Sequence, residues 1–245
     1  MANTTIHIIA SAKCDVSKLS EIQKRPNFRK ATRHMCLAYE SFSTALQGAD
    51  LTSVPPERLG LILASSHGEL PVTLEFLKTL AISGVARPLL FQNSLHNSTT
   101  GFLSLTFKIS GPAITVSNLY FSGESALQTA STLLEGKICD VCIVTGVESA
   151  VDLFAEGHEL EGSATLVLCS ESARRTYGFQ SRAILNRVST NYGPGADRQP
   201  SAPSIAYHAD ALERVIDALG ASCGKSEIVL VKRDGSQSLL ELELL

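Results

Sequence analysis

The sequence predicts an α/β fold, a mixed five-stranded sheet with helices on both faces, and three observations carry that prediction. Leu59 to Ser65 and Cys139 to Val147 are continuous apolar runs without the alternation of a half-wet strand, as expected for strands covered on both sides. Met35, Ala38, Tyr39, Phe42 and Leu46 recur at helical spacing, as do Leu70, Leu74, Leu77 and Ala81, so amphipathic helices separate the strands. Finally, Gly111 to Gly136 reads as a strand turning abruptly into a helix.

Taken in order, Thr5 to Ala10 is a first strand and Ser11 to Phe28 is polar and irregular. The helix marked by Met35 to Leu46 follows, and Val54-Pro55-Pro56 breaks the chain before the buried strand at Leu59. The helix marked by Leu70 to Ala81 leads to a loop ending at Arg87-Pro88. Asn93 to Ile109 then reads as one helix containing Leu95, Thr99, Phe102, Leu103 and Phe107. After the elbow region come strands at Cys139 to Val147, Ser163 to Ser170 and Ala183 to Thr190. Asn191 to Ser204 carries three Pro and two Gly and reads as a linker. Leu212, Val215, Ile216 and Leu219 mark a last helix, Glu227 to Val231 a strand, and the Leu/Glu alternation of Leu239 to Leu245 an exposed or edge strand. The domain reading is residues 1–190, a 191–204 linker and a short αββ fragment at 205–245.

The elbow organises the chain. Gly111-Pro112 is a turn, Ala113 to Ser117 a short β-branched strand, and Ala126, Leu127, Ala130, Leu133 and Leu134 the apolar stripe of a helix stopped at Gly136. A residue aimed at a helix N-terminus from such an elbow meets free N–H groups and a dipole that would favour a thiolate. The elbow residue is Tyr120, whose phenol has an ordinary pKa of about 10 and is not a usual acyl carrier.

With Gly111-Pro112, Ser117, Ser122 and Gly123 in register, the run from Phe91 to Gly146 resembles the N-terminal half of β-ketoacyl synthases, which have the thiolase fold. The catalytic Cys of that family falls at Tyr120. A His-Gly-Thr motif after the opening strand of the second half falls at Asp234-Gly235-Ser236, and the second His would lie beyond Leu245. Lacking all three, the chain resembles a chain length factor, most closely the truncated ketosynthase-like subunit of bacterial aryl-polyene synthases.

That resemblance implies a thiolase-like half plus the opening of a second half, and a non-catalytic subunit paired with a Cys-containing ketosynthase that condenses acyl thioesters with malonyl groups on acyl carrier protein. It places Ala113, Ile114, Thr115, Val116 and Ser117 at the dimer interface. Phe91, Gln92, Leu95, Thr99, Phe102, Tyr120 and Phe121 become lining of the acyl tunnel. Gln92, Leu95 and Thr99, spaced i, i+3 and i+7, would share one helical face turned toward the chain end. No cofactor or metal is implied. The alternatives are a self-contained thiolase-fold acyltransferase or decarboxylase using Ser122, His96 or His67, and a catalytically dead carrier-protein binding module.

Composition narrows the classes. The 245 residues are 44% hydrophobic and 18% charged, an ordinary globular balance, and a net charge of −3 without a basic cluster argues against a nucleic-acid surface. No basic region precedes a long apolar run at the N-terminus, and no apolar stretch reaches bilayer length, so the expectation is a cytoplasmic protein without a membrane span. Six unpatterned Cys suit a reducing compartment.

The remaining motifs read structurally. Ser122 lacks the leading Gly of a Gly-x-Ser-x-Gly elbow and reads as a helix cap. Cys139 and Cys142 have redox or zinc spacing but fall in an apolar strand, where i and i+3 point to opposite faces. His96 and the pair His67 and Glu69 read as hydrogen-bonded loop residues, and Gly193-Pro194-Gly195 is too sparse for a phosphate loop.

Overall fold

The computed structural model describes residues 5–149, 161–191, 210–220, 224–231 and 236–245. The chain opens with β1 (Ile6–Lys13), a short α1 (Leu19–Lys24) and α2 (Arg33–Gln47), whose N-cap Thr32 accepts the Met35 N–H. Next come β2 (Leu59–Ala64), α3 (Leu70–Ser83), α4 (Pro88–Asn93), α5 (Ser98–Phe107) and β3 (Ala113–Val116). Then follow α6 (Ser122–Glu135), β4 (Val141–Glu148), β5 (Gly162–Ser170), α7 (Glu171–Tyr177) and β6 (Ala183–Asn191). The last described elements are α8 (Asp210–Ala218), β7 (Gly224–Val231) and β8 (Gln237–Leu244).

All eight strands belong to one mixed sheet in the order β3-β2-β4-β5-β1-β6-β8-β7. β2 pairs parallel with both β3 and β4, whereas β5 runs antiparallel to β4 and β1. The wholly buried β2, β4 and β5 separate two cores. Because successive side chains face opposite ways, Leu61 and Leu63 join Leu37, Phe42 and Leu103 of α2 and α5 on one face. Ile62 joins Leu127 and Leu134 of α6 and Leu212 and Val215 of α8 on the other. Burying a side chain of this kind contributes about 1.5–3 kcal/mol, so these faces fix the register. No helix among the described residues is long and apolar enough to cross a membrane.

Five expectations need correction. The expected five-stranded sheet is present as β3-β2-β4-β5-β1, but β6, β8 and β7 extend it to eight strands. β8 is not an edge strand: it lies between β6 and β7, and Ser238, Leu240, Leu242 and Leu244 are buried while Gln237, Leu239, Glu241 and Glu243 are half-buried. Alternation reports a half-wet face, not the absence of a neighbour, and the edges of the sheet among the described residues are β3 and β7.

The expected helix from Asn93 to Ile109 is two helices. Ser94, whose N–H closes α4 on Leu90 O, and Ser98, whose hydroxyl donates to Gln92 O, divert hydrogen bonds from a continuous ladder. Ser11 to Phe28 is not irregular throughout, since β1 runs on to Lys13 and α1 follows. The unexpected α7 starts at Ser170, whose hydroxyl accepts the Ala173 N–H, and ends at Gly178 with φ 73°. Last, Cys139 precedes β4, and its Sγ lies 3.1 Å from that of Cys142 instead of facing away. Both sulfurs pack against Gly60, where a Cβ would stand 3.1 and 3.2 Å from them.

Candidate functional site

The parallel strands β2, β3 and β4 end side by side, bringing Ser65 to His67, Ser117 to Phe121 and Glu148 to Ser149 to one edge of the sheet. Sites in open α/β sheets lie beyond the carboxyl ends of such strands. Here the chain leaves β3 through a single 3-10 turn, Leu119–Phe121, and enters α6 at Ser122.

That turn is strained and clamped. Leu119 has φ 44°, a left-handed conformation that costs a bulky residue of order 1–3 kcal/mol. Its carbonyl accepts from Ser122 Oγ at 2.8 Å and from Ser66 Oγ, so hydroxyls from two elements hold the strained peptide. Ser122 Oγ also accepts the Asn118 N–H at 2.9 Å. Ser122 is therefore a buried turn clamp; the N-cap position belongs to Phe121, and the hydroxyl is not hydrogen-bonded to any imidazole among the described residues. The expected cap becomes a clamp, and a Ser–His pairing at the elbow is not formed.

A carboxylate that sequence reasoning missed anchors the neighbouring turn. Glu148, buried at the end of β4, accepts from Ser65 Oγ at 3.1 Å and from the Ser66 N–H, and its other oxygen lies 3.4 Å from His67 Nδ1. The signal was available: Glu148 is the one charge closing an otherwise apolar strand. Ser65 Oγ then accepts the Gly68 N–H at 2.8 Å. Gly68 has φ 53°, and a Cβ there would stand 2.4 Å from His96 Nδ1, so the glycine makes room for the imidazole. Glu69, which sequence spacing paired with His67, accepts instead from Thr32 Oγ1 at 2.7 Å and Thr99 Oγ1 at 2.8 Å.

The candidate tunnel residues divide. Thr99 is 1% exposed and bound to Glu69, Phe102 packs edge-on to Phe28 at 5.6 Å, and Phe121 is buried. Phe91 and Gln92 are exposed on α4, and Leu95, 44% exposed, lies in the connection between α4 and α5. Gln92, Leu95 and Thr99 therefore do not share one helical face; the break at Ser94 to Asn97 turns Thr99 inward and leaves the other two outward. Tyr120 stands at the centre of the 3-10 turn.

Ala113 to Ser117 forms the open edge of the sheet. The Leu61 and Ser65 N–H groups donate to Pro112 O and Val116 O, so even-numbered groups of this strand face β2. By alternation the odd-numbered groups, Thr115 at their centre, face outward. Asp234 lies outside the described residues, as do residues 192–204 of the expected linker and residues 205–209 after it. Ser238 Oγ donates to Glu124 Oε1 in the first turn of α6 at 2.6 Å, so the start of β8 is tied to the elbow helix.

With this geometry in place, comparison with known proteins gives a family-model match: the β-ketoacyl synthase, N-terminal domain, over residues 14–170. A search of curated proteins by sequence returns no match. Solved structures share the fold at low identity. An acyl carrier protein in complex with its ketosynthase bound to the hexaketide, from a type II polyketide synthase (AntDE:AntF), is similar at 14% identity and a TM-score of 0.78, covering 99% of this chain and 100% of that one. The ishigamide ketosynthase/chain length factor is similar at 16% and 0.76, covering 98% and 99%. The ketosynthase ApeO in complex with its chain length factor ApeC, from Xenorhabdus doucetiae, is similar at 15% and 0.65, again covering 98% and 99%.

Proposed function

The chain belongs to the β-ketoacyl synthase family, and from that premise we propose that it is the non-catalytic chain length factor subunit of a heterodimeric type II β-ketoacyl-ACP synthase. One observation carries the reading: the elbow is built and strained as for a nucleophile, with Leu119 at φ 44° under two hydroxyl clamps, yet the residue at the centre of its turn is Tyr120. Strain of this size persists only where surrounding contacts hold it, so the elbow's shape is retained without its chemistry.

On this reading the partner ketosynthase supplies the Cys and both His, and acyl carrier protein is engaged through the complex. The open edge of β3 pairs with the partner. Phe91, Gln92 and Leu95, exposed on this chain, face across the dimer toward the growing acyl chain, with Tyr120 and Phe121 at the elbow and Thr99 and Phe102 as support behind them. Asp234 replaces the first catalytic His, and residues 205–245 correspond to the opening of the second thiolase half. The product class is a polyene, in a cytoplasmic pathway of the aryl-polyene kind.

Co-expression with a Cys-containing ketosynthase from the same operon tests this. A 1:1 complex with malonyl-dependent elongation, inactive when the partner's Cys is replaced and with neither subunit active alone, is the expected result. Condensation by this chain alone refutes the proposal.

A further inference from the structure

At the end of the sheet away from the elbow, the chain leaves α6, turns through Lys137 at φ 55° and enters β4 at Val141. Cys139 and Cys142 flank that entry, 1% and 0% exposed, with their Sγ atoms 3.1 Å apart. A disulfide bond is about 2.05 Å long, so closure asks for about 1 Å of further approach.

The surroundings fit a sulfur pair. Gly60 of β2 is the ladder partner of Cys142, and a Cβ there would stand 3.1 Å from the Cys142 sulfur and 3.2 Å from that of Cys139. Any other residue at this position would crowd both. Arg58 fixes the turn by donating to Lys137 O and Ile138 O at 3.1 Å each and to Asp140 Oδ1 at 2.6 Å. Tyr177 donates its hydroxyl to Asp140 Oδ2 at 2.9 Å, so the carboxylate between the two cysteines is occupied. Among the described residues no group of three or more His, Cys, Asp or Glu is placed to hold a metal ion, which leaves the Cys-x-x-Cys spacing to sulfur–sulfur chemistry.

The two thiols differ. Cys142 Sγ lies closer to the Cys139 sulfur than to Ala130 O at 3.9 Å, so its S–H is placed to donate to Cys139. That hydrogen bond, helped by the Arg58 charge, holds the Cys139 thiol below its usual pKa against burial and Asp140. The same bond and burial push Cys142 up. Cys139 also adjoins Ile138, which is 53% exposed, whereas Cys142 lies within β4.

We propose that Cys139 and Cys142 are a reversible redox site, oxidised by hydrogen peroxide to an intrachain disulfide, with Cys139 attacking and Cys142 resolving. Peroxide is little larger than water and reaches Cys139 when the turn at Ile138 opens locally. The Cys139 sulfur attacks one peroxide oxygen, the O–O bond breaks, and one water leaves a sulfenic acid. The Cys142 sulfur then attacks that sulfur; the S–S bond forms, the S–O bond breaks, and the hydroxide leaves with the Cys142 proton as a second water. Two thiols lose two electrons and two protons, and the peroxide takes up both. In a reducing compartment such a bond is transient, removed by exchange with a dithiol. The site goes beyond the assignment of a chain-length subunit and does not depend on it.

The test treats the native 245-residue chain with hydrogen peroxide, then unfolds it in acid, labels it with N-ethylmaleimide and digests it with trypsin. Peptide Ile138–Arg174 carries Cys139, Cys142 and Cys169, so the reduced chain shows three labels. The expected product keeps one label, at Cys169, lacks two hydrogens, and regains all three labels after dithiothreitol. In Cys142→Ser, dimedone is expected to capture a sulfenic acid at Cys139; in Cys139→Ser, no adduct is expected at Cys142. Three labels after peroxide, a loss that dithiothreitol does not restore, a disulfide involving Cys169, or a dimedone adduct at Cys142 alone overturns the proposal. If the variants do not fold, the labels on the wild-type peptide decide.

Discussion

Thr115→Pro isolates the outward hydrogen bonding of β3 from everything else this strand does. Thr115 pairs with Leu63 in the parallel ladder, but the bonds to β2 are carried by the even-numbered groups, as Pro112 O and Val116 O show. The Thr115 N–H faces the open edge, so its removal leaves the β2–β3 ladder whole. Pro also suits an edge strand and favours an extended residue before it, which Ile114 already is.

The substitution also removes the 2.6 Å bond between the Thr115 and Thr100 hydroxyls. Thr115→Val removes that bond too while keeping the N–H, and so serves as the control. If β3 pairs across a dimer axis, Pro strands at least one partner carbonyl, costing about 1–3 kcal/mol. That corresponds to about 5- to 150-fold in Kd relative to Thr115→Val. Interferometry or size exclusion with light scattering, using immobilised or tagged ketosynthase, reads the difference directly. Equal affinity of the two variants, with matching circular dichroism melts, would place the interface elsewhere and sink the argument.

Leu95→Trp should leave a folded complex that releases shorter carrier-bound chains by mass spectrometry, because Leu95 is exposed here. Thr99→Trp should instead lower the melting temperature, since overpacking costs about 1–3 kcal/mol and the buried Glu69 loses a donor; wild-type product lengths from the first and an unchanged melt from the second would reject the assignment. Tyr120→Phe should leave turnover of the complex nearly intact, and Tyr120→Cys should give this chain no condensing activity; complete loss in an assembled Tyr120→Phe complex would reveal a working phenol. Burial raises the thiols of Cys14 and Cys169 to about 12 and that of Cys36 to about 11, with Glu40 adding to the rise at Cys14. At pH 8 all three therefore stay protonated, and iodoacetamide should label them only in urea; native labelling of Cys14 at the rate of a free thiol would contradict this.

The buried strands and the helices α2 and α6 were legible because one period settled each: continuous apolar residues for β2 and β4, and a 3.6-residue stripe for Met35 to Leu46 and Ala126 to Leu134. What the sequence obscured was set by partners remote along the chain. The place of β8 inside the sheet depends on β6 and β7, which pair along both of its sides. The break between α4 and α5 rests on Ser94 and Ser98, whose hydroxyls donate locally to Phe91 O and Gln92 O. Cys139 and Cys142 were read by strand alternation, which fails because the strand starts only at Val141. At the elbow, Tyr120 could be located from the turn and the helix pattern, whereas the role of Ser122 could not, since its clamp needs Ser66 from the turn after β2.

On the proposed reading, that clamp bears on why the elbow keeps its shape with Tyr120 at the nucleophile position. A relaxed turn would remove the cost at Leu119, so its persistence requires contacts that fix the chain on both sides. Ser66 and Ser122 supply them at the carbonyl of Leu119, and Glu148 fixes Ser66 in turn by accepting its N–H. The same link joins the ends of β2, β4 and the elbow after β3 into one rigid edge. A flexible turn there would let the short β3 slide, and with it the outward groups at Ala113, Thr115 and Ser117. Preserving the elbow therefore preserves the register of the edge, which is the property that the proposed pairing surface would need.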